Sequence, residues 1–298
     1  MKLIHTINKK ARWIAHMFCV DLFPRIVIDR TWRREYGYTV NWKDPRDLNE
    51  KIQWLICYGD TRRWPALADK FRVRNYVAEK GYAHLLTQLY GVWKHAEDID
   101  FDSLPDRFVL KCNHDCGSTI IIDKSKGVDR EKIIRELNNN LHRKFGYDNC
   151  EPHYNRIPPR VIAEEYLESR NDTFSNSLVD YKVWCFDGKA SSIFVCYNRQ
   201  RDSLAISLFD LEWHAHPECL VYSQHFLPAE DTISKPDCLD AMIRTAEDLS
   251  IGLPEARIDF YDIDGKLYFG EITLTSSRGR MEYFTKDYLL ELGRKVIL

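Results

Sequence analysis

The 298-residue sequence predicts an α+β fold, on three observations. Residues 1 to about 95 carry apolar residues at three- and four-residue spacing, which is typical of amphipathic helices. From Asp106 onward, apolar runs of strand length alternate with helical segments. Some of these runs are joined by Asp-Gly turns, at 187–188 and 264–265, which favour antiparallel hairpins. Helices interspersed with antiparallel hairpins favour an α+β architecture over a doubly wound parallel sheet.

The predicted helices and strands follow from apolar spacing and from end signals. In the N-terminal third, residues 49–55 and 67–77 have the spacing of helices. Three later helices have an N-cap residue or a following glycine, and they are 129–137 with Asp129, 237–250 with Gly252, and 285–295 with Thr285. Predicted strands, bounded by turn residues or prolines, are 108–111, 160–167, 180–186, 190–197, 207–213 and the two arms of 257–273.

The overall composition excludes some classes of function. A chain of 298 residues suffices for one large domain or two smaller ones with a sizeable core. The formal net charge is -2, so no global electrostatic attraction to nucleic acid is expected. Nine cysteines are scattered singly, and no secretory leader is recognisable. This pattern favours reduced thiols, and we therefore expect a cytoplasmic protein.

The N-terminal segment raises the question of membrane contact. An apolar run from Trp13 to Phe23 follows the basic residues Lys9, Lys10 and Arg12, and it ends at Pro24, well short of a spanning helix. One interpretation is an interfacial helix that makes peripheral contact with the inner face of the membrane. The interpretation that we favour is a helix whose apolar face packs on the rest of the domain.

The most informative segment is the predicted C-terminal hairpin, in which charges interrupt the apolar pattern. Side chains alternate across a strand, so Arg257 and Asp259 share one face, as do Glu271 and Thr273. A two-residue turn would put the two acids on opposite faces. A three-residue loop, 264–266, would place Asp259 opposite Glu271. Opposed acids repel unless a cation lies between them, so this register predicts a metal site. The alternative is an exposed hairpin with a solvated polar face.

Charged residues recur upstream, each on a strand or at its end. Lys111 ends one strand and precedes the polar loop 112–119, Glu164 and Glu165 end another, and Lys182 stands on a hairpin strand. Basic groups suit phosphate oxygens, whereas carboxylates suit Mg²⁺, which usually shares its oxygen ligands with substrate phosphates. Together with the hairpin, these residues predict a site for Mg²⁺ and a polyphosphate.

The order of these segments resembles the ATP-grasp superfamily, most closely its TupA-like branch, which is found in bacterial capsule and cell-wall polysaccharide loci. The resemblance covers nearly the whole chain and rests on the motifs at 49–55, 68–70, 73–74, 89–93, 99–105, 108–114, 162–167 and 268–271. It implies an ATP-grasp fold with a mainly helical N-terminal region and a nucleotide bound between two α+β subdomains. The corresponding boundaries are 1–105 for the helical region, 106–170 for the subdomain with the phosphate loop and adenine strand, and 171–298 for the subdomain with the metal hairpin.

The resemblance also implies roles for individual residues. Lys111 and Lys182 would contact the nucleotide phosphates, and Arg257 would stabilise the acyl phosphate or the transferred phosphoryl group. Catalytic roles therefore fall to Arg257 and Lys182. The other ATP-binding residues implied are Asn113, Gly117 and Ser118 in the loop, Glu164, Glu165 and Leu167 around the adenine, and Glu168 near the ribose. The implied Mg²⁺ ligands are Asp259, Glu271 and Thr273.

Two positions depart from the superfamily pattern. The phosphate loop carries Asp115, an acid that is unfavourable beside phosphates unless it faces away or contacts the metal. Thr273 stands where the superfamily usually places Asn, and it offers only one oxygen as a weaker ligand. Asp69, Lys70 and Arg74 match the branch, but on a predicted helix their default role is an i,i+4 salt bridge.

The predicted function is ATP-dependent carboxylate–amine ligation through an acyl phosphate, with ATP and Mg²⁺ as cofactors. By the resemblance, the carboxylate belongs to a sugar acid of a surface polysaccharide and the amine to an amino acid. Arg199, Arg201 and Arg278 follow hairpins beside the predicted site and are candidates for contacting an acidic substrate. The alternatives are a glycosyltransferase of the same pathway and a degenerate nucleotide-binding module.

Overall fold

The N-terminal third of the chain is mainly helical, as the apolar spacing predicts. The structure is a computed structural model that describes residues 2–168, 175–229 and 233–298, and the side chains from residue 9 onward. The first helices are α1 (Lys2–Leu22), α2 (Pro24–Tyr36), α3 (Leu48–Tyr58), α4 (Trp64–Ala68) and α5 (Val73–Glu79). Helix α3 begins where the side chain of Asp47 accepts a hydrogen bond from the Glu50 N–H at 2.8 Å, and its apolar side chains face inward.

A four-stranded antiparallel sheet follows. Its strands are β1 (Leu89–Trp93), β2 (Arg107–Cys112), β3 (Ile120–Asp123) and β4 (Val161–Glu165), in the spatial order β1-β4-β2-β3. Two helices lie between β3 and β4 in the chain, namely α6 (Arg130–Leu141) and α7 (Phe145–Asn149). The predicted domain boundary at 105/106 separates β1 from the sheet to which it belongs. The boundary at 170/171 lies outside the described residues.

The second sheet has six strands and carries the predicted metal hairpin. Its strands are β5 (Asp180–Phe186), β6 (Lys189–Tyr197), β7 (Leu204–Phe209), β8 (Phe226–Leu227), β9 (Ala256–Ile263) and β10 (Lys266–Thr273). The spatial order is β10-β9-β5-β6-β7-β8, and among the described residues β7 and β8 are the one parallel pair of this sheet. The remaining helices are α8 (Leu239–Ser250) and α9 (Lys286–Lys295).

The buried apolar side chains form two separate clusters. One joins the N-terminal helices to the six-stranded sheet and includes Trp32, Ile52, Val183 and Ile258. The other lies between the four-stranded sheet and α6 and includes Phe108, Leu110, Ile133 and Leu137. The helices of the N-terminal third therefore pack mainly with the C-terminal sheet, while β2 to β4 keep a core of their own.

Most predicted elements are confirmed, with shifted ends. Asp129 accepts from the Lys132 N–H at 3.0 Å and caps α6 as expected, but the predicted helix 67–77 is interrupted. The Asp69 carboxylate accepts from the N–H groups of Phe71 and Arg72, and this local turn separates α4 from α5. The predicted strand 207–213 lies at 204–209, and β1, β3 and β8 were not predicted.

Candidate functional site

The predicted hairpin residues come together as a partly buried ionic network on one face of the six-stranded sheet. Asp259 Oδ2 lies 2.6 Å from Lys182 Nζ and 2.7 Å from Arg257 Nη2, and Asp259 Oδ1 lies 2.7 Å from Arg257 Nε. On the next strand, Thr273 Oγ1 accepts from Arg257 at 3.0 Å and donates to Glu271 at 3.1 Å. We call these five residues the floor cluster.

The floor cluster depends on an irregularity in the hairpin. Asp259 is paired with Glu271 and Arg257 with Thr273, as the metal-site register requires. The predicted loop length is wrong, however, because Ile263 pairs with Lys266 across a two-residue turn. A β-bulge between Phe269 and Glu271 supplies the missing change of parity. It occurs at Gly270, where a Cβ atom would lie 3.0 Å from the carbonyl oxygen of Asp259.

Opposite charges set the ionisation of the floor cluster. Burial alone would raise the pKa of Glu271, but the charges of Lys70, Arg257 and Lys182 lower it to about 2. Burial disfavours the charged form of Lys182, yet Asp180 and Asp259 raise its pKa above the ordinary value. Glu271, Lys182 and Arg257 therefore stay ionised throughout the neutral range, and each acid of the floor lies near at least two cations.

Lys70 joins the floor cluster from outside the sheet, which was not predicted. Its Nζ lies 3.7 Å from Glu271 Oε2 and donates to the carbonyl of Asp115 at 2.6 Å. Burial would lower the pKa of Lys70, but the surrounding acids, Glu271 foremost and Glu164 among them, raise it. Lys70 therefore lies between acids of the two sheets. The interruption between α4 and α5 makes this reach possible, because Lys70 is not on a helix.

The four-stranded sheet contributes a second ionic cluster around Glu164. Glu164 is 6% exposed, and its Oε2 lies 2.5 Å from Lys111 Nζ. Its Oε1 accepts from Arg74 Nη1 at 3.1 Å, and Arg74 also donates to the carbonyl of Thr87. The i,i+4 salt bridge expected for Arg74 is wrong, since this side chain pairs across the fold. Lys70 and Arg74 had a signal in the sequence, because both match motifs of the family.

The predicted loop residues Asn113 and Ser118 have side chains that hold the loop itself. Asn113 Nδ2 donates to Asp69 at 2.8 Å and to the Pro158 carbonyl at 3.2 Å, while its Oδ1 accepts from the Arg160 N–H at 2.7 Å. Ser118 is likewise buried. The Asn113 N–H is engaged as well, since it donates to the Arg160 carbonyl at 3.0 Å. Neither side chain is therefore free to contact a phosphate in this conformation of the loop.

Asp115, the unexpected acid of this loop, is turned inward. It is 1% exposed, and its Oδ1 accepts from the Ser118 hydroxyl at 2.6 Å. Gly117, beside it, has φ of 84°, a left-handed conformation that favours glycine. The Asp115 carboxylate therefore does not face the space where a phosphate would bind. This explains how the loop can carry an acid that is unusual for the superfamily.

The strand end that is predicted to contact the adenine already makes hydrogen bonds within the protein. The Glu165 N–H donates to the Gln88 carbonyl at 2.9 Å, and its carboxylate accepts from the Gln88 N–H at 3.2 Å. Leu167 is buried. Glu168 is half exposed and accepts from both terminal nitrogens of Arg107, at 2.6 and 3.1 Å. An adenine contact at Glu165 would therefore use atoms other than its N–H.

The three predicted substrate arginines have different surroundings. Arg199 donates to Asp180 at 2.8 Å, and Asp180 lies 3.7 Å from Lys182, so Arg199 is connected to the floor cluster. Arg201 is exposed. Arg278 donates to Asn149 at 3.0 Å, on α7. Among the described residues, Asp180 connects Arg199 to the floor, and no such chain of contacts connects Arg201 or Arg278 to it.

The acids of the floor cluster fit a Mg²⁺ ion that also takes ligands from a nucleotide better than an ion held by protein ligands alone. Asp259 and Glu271 are cross-strand neighbours that offer hard oxygen ligands. Within the described ranges, no group of three or more His, Cys, Asp or Glu side chains is arranged to hold a metal ion. Two carboxylates with the remaining ligands from phosphates and water are the usual arrangement for Mg²⁺ bound with a nucleotide.

Comparison with known proteins identifies the family of the chain. Residues 50–297 match the model of the TupA-like ATPgrasp family. Among solved structures, D-alanine–D-alanine ligase from Bacillus anthracis complexed with ATP is 15% identical, with 89% of this chain and 71% of that chain covered and a TM-score of 0.46. The corresponding ligase from Helicobacter pylori is 13% identical, with 90% and 68% covered and a TM-score of 0.43. D-cycloserine synthetase DcsG is 16% identical, with 80% and 72% covered and a TM-score of 0.44.

A search of curated protein sequences gave no match. The family match spans well over half of the chain and includes both ionic clusters. The chain therefore belongs to the TupA-like ATP-grasp family and is an ATP-grasp ligase, an enzyme that forms a carbon–nitrogen bond as ATP is converted to ADP and phosphate.

Proposed function

We propose that this ligase joins the carboxylate of a sugar acid to an amine, preferably an amino acid, in the synthesis of a bacterial surface polysaccharide. A carboxylate oxygen attacks the γ-phosphorus of ATP, which gives an acyl phosphate and releases ADP. The amine nitrogen then attacks the acyl carbon, the bond from that carbon to the phosphate oxygen breaks, and the nitrogen loses a proton. The observation that carries the proposal is the floor cluster, in which the paired acids lie among Lys182, Arg257 and, from outside the sheet, Lys70.

Each residue of the site has a role in this scheme. Phosphate oxygens are bound by Lys111, Lys182 and Lys70. Their ammonium groups lie next to the acids Glu164, Asp259 and Glu271, at the site where Mg·ATP would bind. Arg257 stabilises the charge that develops on the acyl phosphate. The bound Mg²⁺ neutralises phosphate charge, and the residues that would hold it are Asp259 and Glu271, with Thr273 as a weaker third ligand.

Binding of ATP requires the ion pairs described above to be exchanged. Lys111 pairs with Glu164, and Lys182 pairs with Asp259. A phosphate offers each lysine another anion, and a cation offers Asp259 another partner, so no charge is left without a partner. Glu164 would then be able to accept a hydrogen bond from the adenine amino group, and Glu168 would contact the ribose.

The substrate class comes from family membership and from basic side chains near the floor. Arg199 is the best placed of the predicted substrate residues, because Asp180 connects it to Lys182. Arg201 and Arg278 are further candidates for an acidic glycan. All nine cysteines are free, which supports a reducing, cytoplasmic location where ATP is available.

The test is ADP release, screened with uronic acids paired with amino acids. We expect release that requires both partners and that falls by about a thousandfold in Asp259→Asn and Glu271→Gln. Asp264→Asn, an acid at the exposed hairpin tip, is the matched control and should retain the activity of the parent. If the two floor variants release ADP as fast as the parent, the metal assignment is wrong.

Two other results would favour the alternatives. Turnover of a nucleotide sugar without ATP consumption would establish a glycosyltransferase. Binding of Mg·ATP without ADP release in any acid–amine mixture would instead indicate a degenerate nucleotide-binding module.

A further inference from the structure

Helix α1 presents an apolar stripe to solvent instead of burying it. Ile14, Phe18 and Leu22 follow one another at four-residue spacing and are 59%, 58% and 56% exposed. Val20, on another side of the same helix, is fully buried. The favoured expectation, that the apolar face of this helix packs on the domain, is therefore wrong for this stripe. Three large apolar side chains in line on one helix are more than scattered surface residues.

The stripe continues across the junction between the first two helices. Phe23, between α1 and α2, is 51% exposed, and its ring centroid lies 6.4 Å from that of Phe18. Ile26, in the first turn of α2, is 60% exposed. Exposed apolar side chains therefore recur from Ile14 to Ile26, and the contact between Phe18 and Phe23 connects those of α1 to the junction. We call it the apolar strip.

Arginines continue this surface along α2. Arg30 and Arg33 follow Ile26 at four- and three-residue spacing, which places all three on one face of the helix. Arg30, Arg33 and Arg34, with Asp29, line a surface recess of about 450 Å³. None of these arginines has an ion-pair or hydrogen-bond partner for its guanidinium in the described part of the chain, and Asp29 is already bound to Trp42 and Arg25.

We infer that the apolar strip and these arginines form a binding surface for a membrane that contains anionic phospholipid. The apolar side chains would enter the interfacial region, and the guanidinium groups would bind lipid phosphates. Charge favours this occupant over a second copy of the chain, because a second copy presents the same basic surface, whereas an anionic membrane offers the opposite charge. The protein would lie on the membrane, since no helix in the described residues could cross one.

The surface is joined to the part of the fold that carries the ligase site. Arg280 Nη1 lies 2.6 Å from Glu35 on α2, and its Nη2 donates to Thr31 at 2.7 Å. Arg280 belongs to the segment that follows β10, where the floor cluster ends. Binding through α1 and α2 would thus hold the catalytic domain at the membrane. The inference does not depend on which acid and amine the enzyme joins.

Vesicle flotation with the full chain tests the inference. Vesicles of phosphatidylcholine alone are compared with vesicles that also contain phosphatidylglycerol, at low and high salt. We expect binding only to the anionic vesicles, weakened by salt. The triple variant Arg30→Gln, Arg33→Gln, Arg34→Gln should bind roughly a hundredfold more weakly, as three basic residues near an anionic surface predict. The double variant Ile14→Ser, Phe18→Ser should lose roughly tenfold or more.

Matched controls separate this surface from general effects of charge and hydrophobicity. Lys126→Gln, Lys132→Gln, Arg135→Gln removes the same charge around α6, and Ile121→Ser removes an equally exposed apolar group from β3. Both should bind anionic vesicles like the parent, and all variants should keep the parent's melting temperature and affinity for Mg·ATP. The inference is overturned if the parent ignores anionic vesicles or if the controls lose as much binding. It is also overturned if the parent is a dimer that Ile14→Ser, Phe18→Ser converts to a monomer.

Discussion

The two sheets hold their charged groups in different ways. In the six-stranded sheet, Lys182, Arg257 and Asp259 stand on adjacent strands and neutralise one another within hydrogen-bonding distance. In the four-stranded sheet, Lys111 pairs with Glu164, but the second cation on that acid comes from Arg74 on helix α5. One cluster is therefore built by strand pairing, whereas the other requires a helix to dock on the sheet.

This difference has consequences for what substitutions should do. Removal of a floor residue leaves a buried partner without its counter-charge inside one rigid sheet, which is costly. Removal of a residue that docks from outside loosens the connection between elements but leaves each sheet intact. The predictions below test this contrast through nucleotide binding, activity and stability.

The largest effect is expected for Arg257→Gln. The guanidinium bonds to Asp259 and also reaches Glu271 and Thr273, so its loss leaves two opposed acids with too little positive charge between them. We expect ADP release to fall about a thousandfold. The free energy of unfolding should drop by about 3 kcal/mol.

Added Mg²⁺ should recover part of that stability in the variant, because the ion replaces the missing cation. Denaturant unfolding with and without Mg²⁺ measures both effects. Arg244→Gln on α8 is the control and should change neither quantity. An Arg257→Gln protein as stable as the parent would show that the floor is not held by its charges.

Lys70→Gln should have the next largest effect on nucleotide binding. Lys70 connects Glu271 to the carbonyl of Asp115, so its loss removes a charge near the phosphates and releases the loop. We expect the affinity for Mg·ATP to fall about 30-fold, which corresponds to roughly 2 kcal/mol. Calorimetric titration measures this affinity, and Lys80→Gln, an exposed lysine just after α5, is the control. Equal affinities in the two variants would remove Lys70 from the site.

A smaller effect is expected when the bulge is disturbed by Gly270→Ala. The new methyl group would lie 3.0 Å from the carbonyl oxygen of Asp259, so the strands must shift. We expect about 2 kcal/mol of destabilisation and about tenfold weaker binding of Mg·ATP. Gly265→Ala, at the left-handed turn position, should cost roughly 1 kcal/mol of stability without changing that affinity. Similar losses of affinity in both would mean that the bulge does not position the acids.

The smallest effect on nucleotide binding is expected for Glu255→Gln. Glu255 is buried beside the floor, and burial raises its pKa to about 8, with Arg257 opposing. The folded protein therefore binds this proton more tightly than the unfolded chain, whose value is near 4.5. As the pH rises from 4.5 to 8, the parent should lose roughly 4 kcal/mol of stability that the variant keeps. The free energy of unfolding, measured for parent and variant across this pH range, checks the prediction. Glu291→Gln, at an exposed position, is the control. Parallel profiles for parent and variant would contradict the buried, protonated acid.

Much of the C-terminal hairpin could be predicted, and the error in it is instructive. The alternation of side chains puts Arg257 and Asp259 on one face of their strand, and Glu271 and Thr273 on one face of the next. The structure pairs Asp259 with Glu271 and Arg257 with Thr273, as the metal-site register requires. The loop length was wrong because a single unbroken register was assumed. The sequence carried a sign of the bulge: the apolar positions of β10 change from odd to even numbers across Gly270.

The sequence by itself determined the α+β class and the charged residues of the floor, because strand alternation and turn chemistry act over a few residues. Its motifs indicated the family by resemblance. Only the tertiary structure decided that Lys70 reaches Glu271 and that Arg74 reaches Glu164, since these contacts join segments far apart in the chain. The same is true of α1, whose apolar spacing is identical whether the stripe from Ile14 to Leu22 is buried or exposed. Local patterns specify which face of an element is distinctive, but long-range packing decides what that face meets.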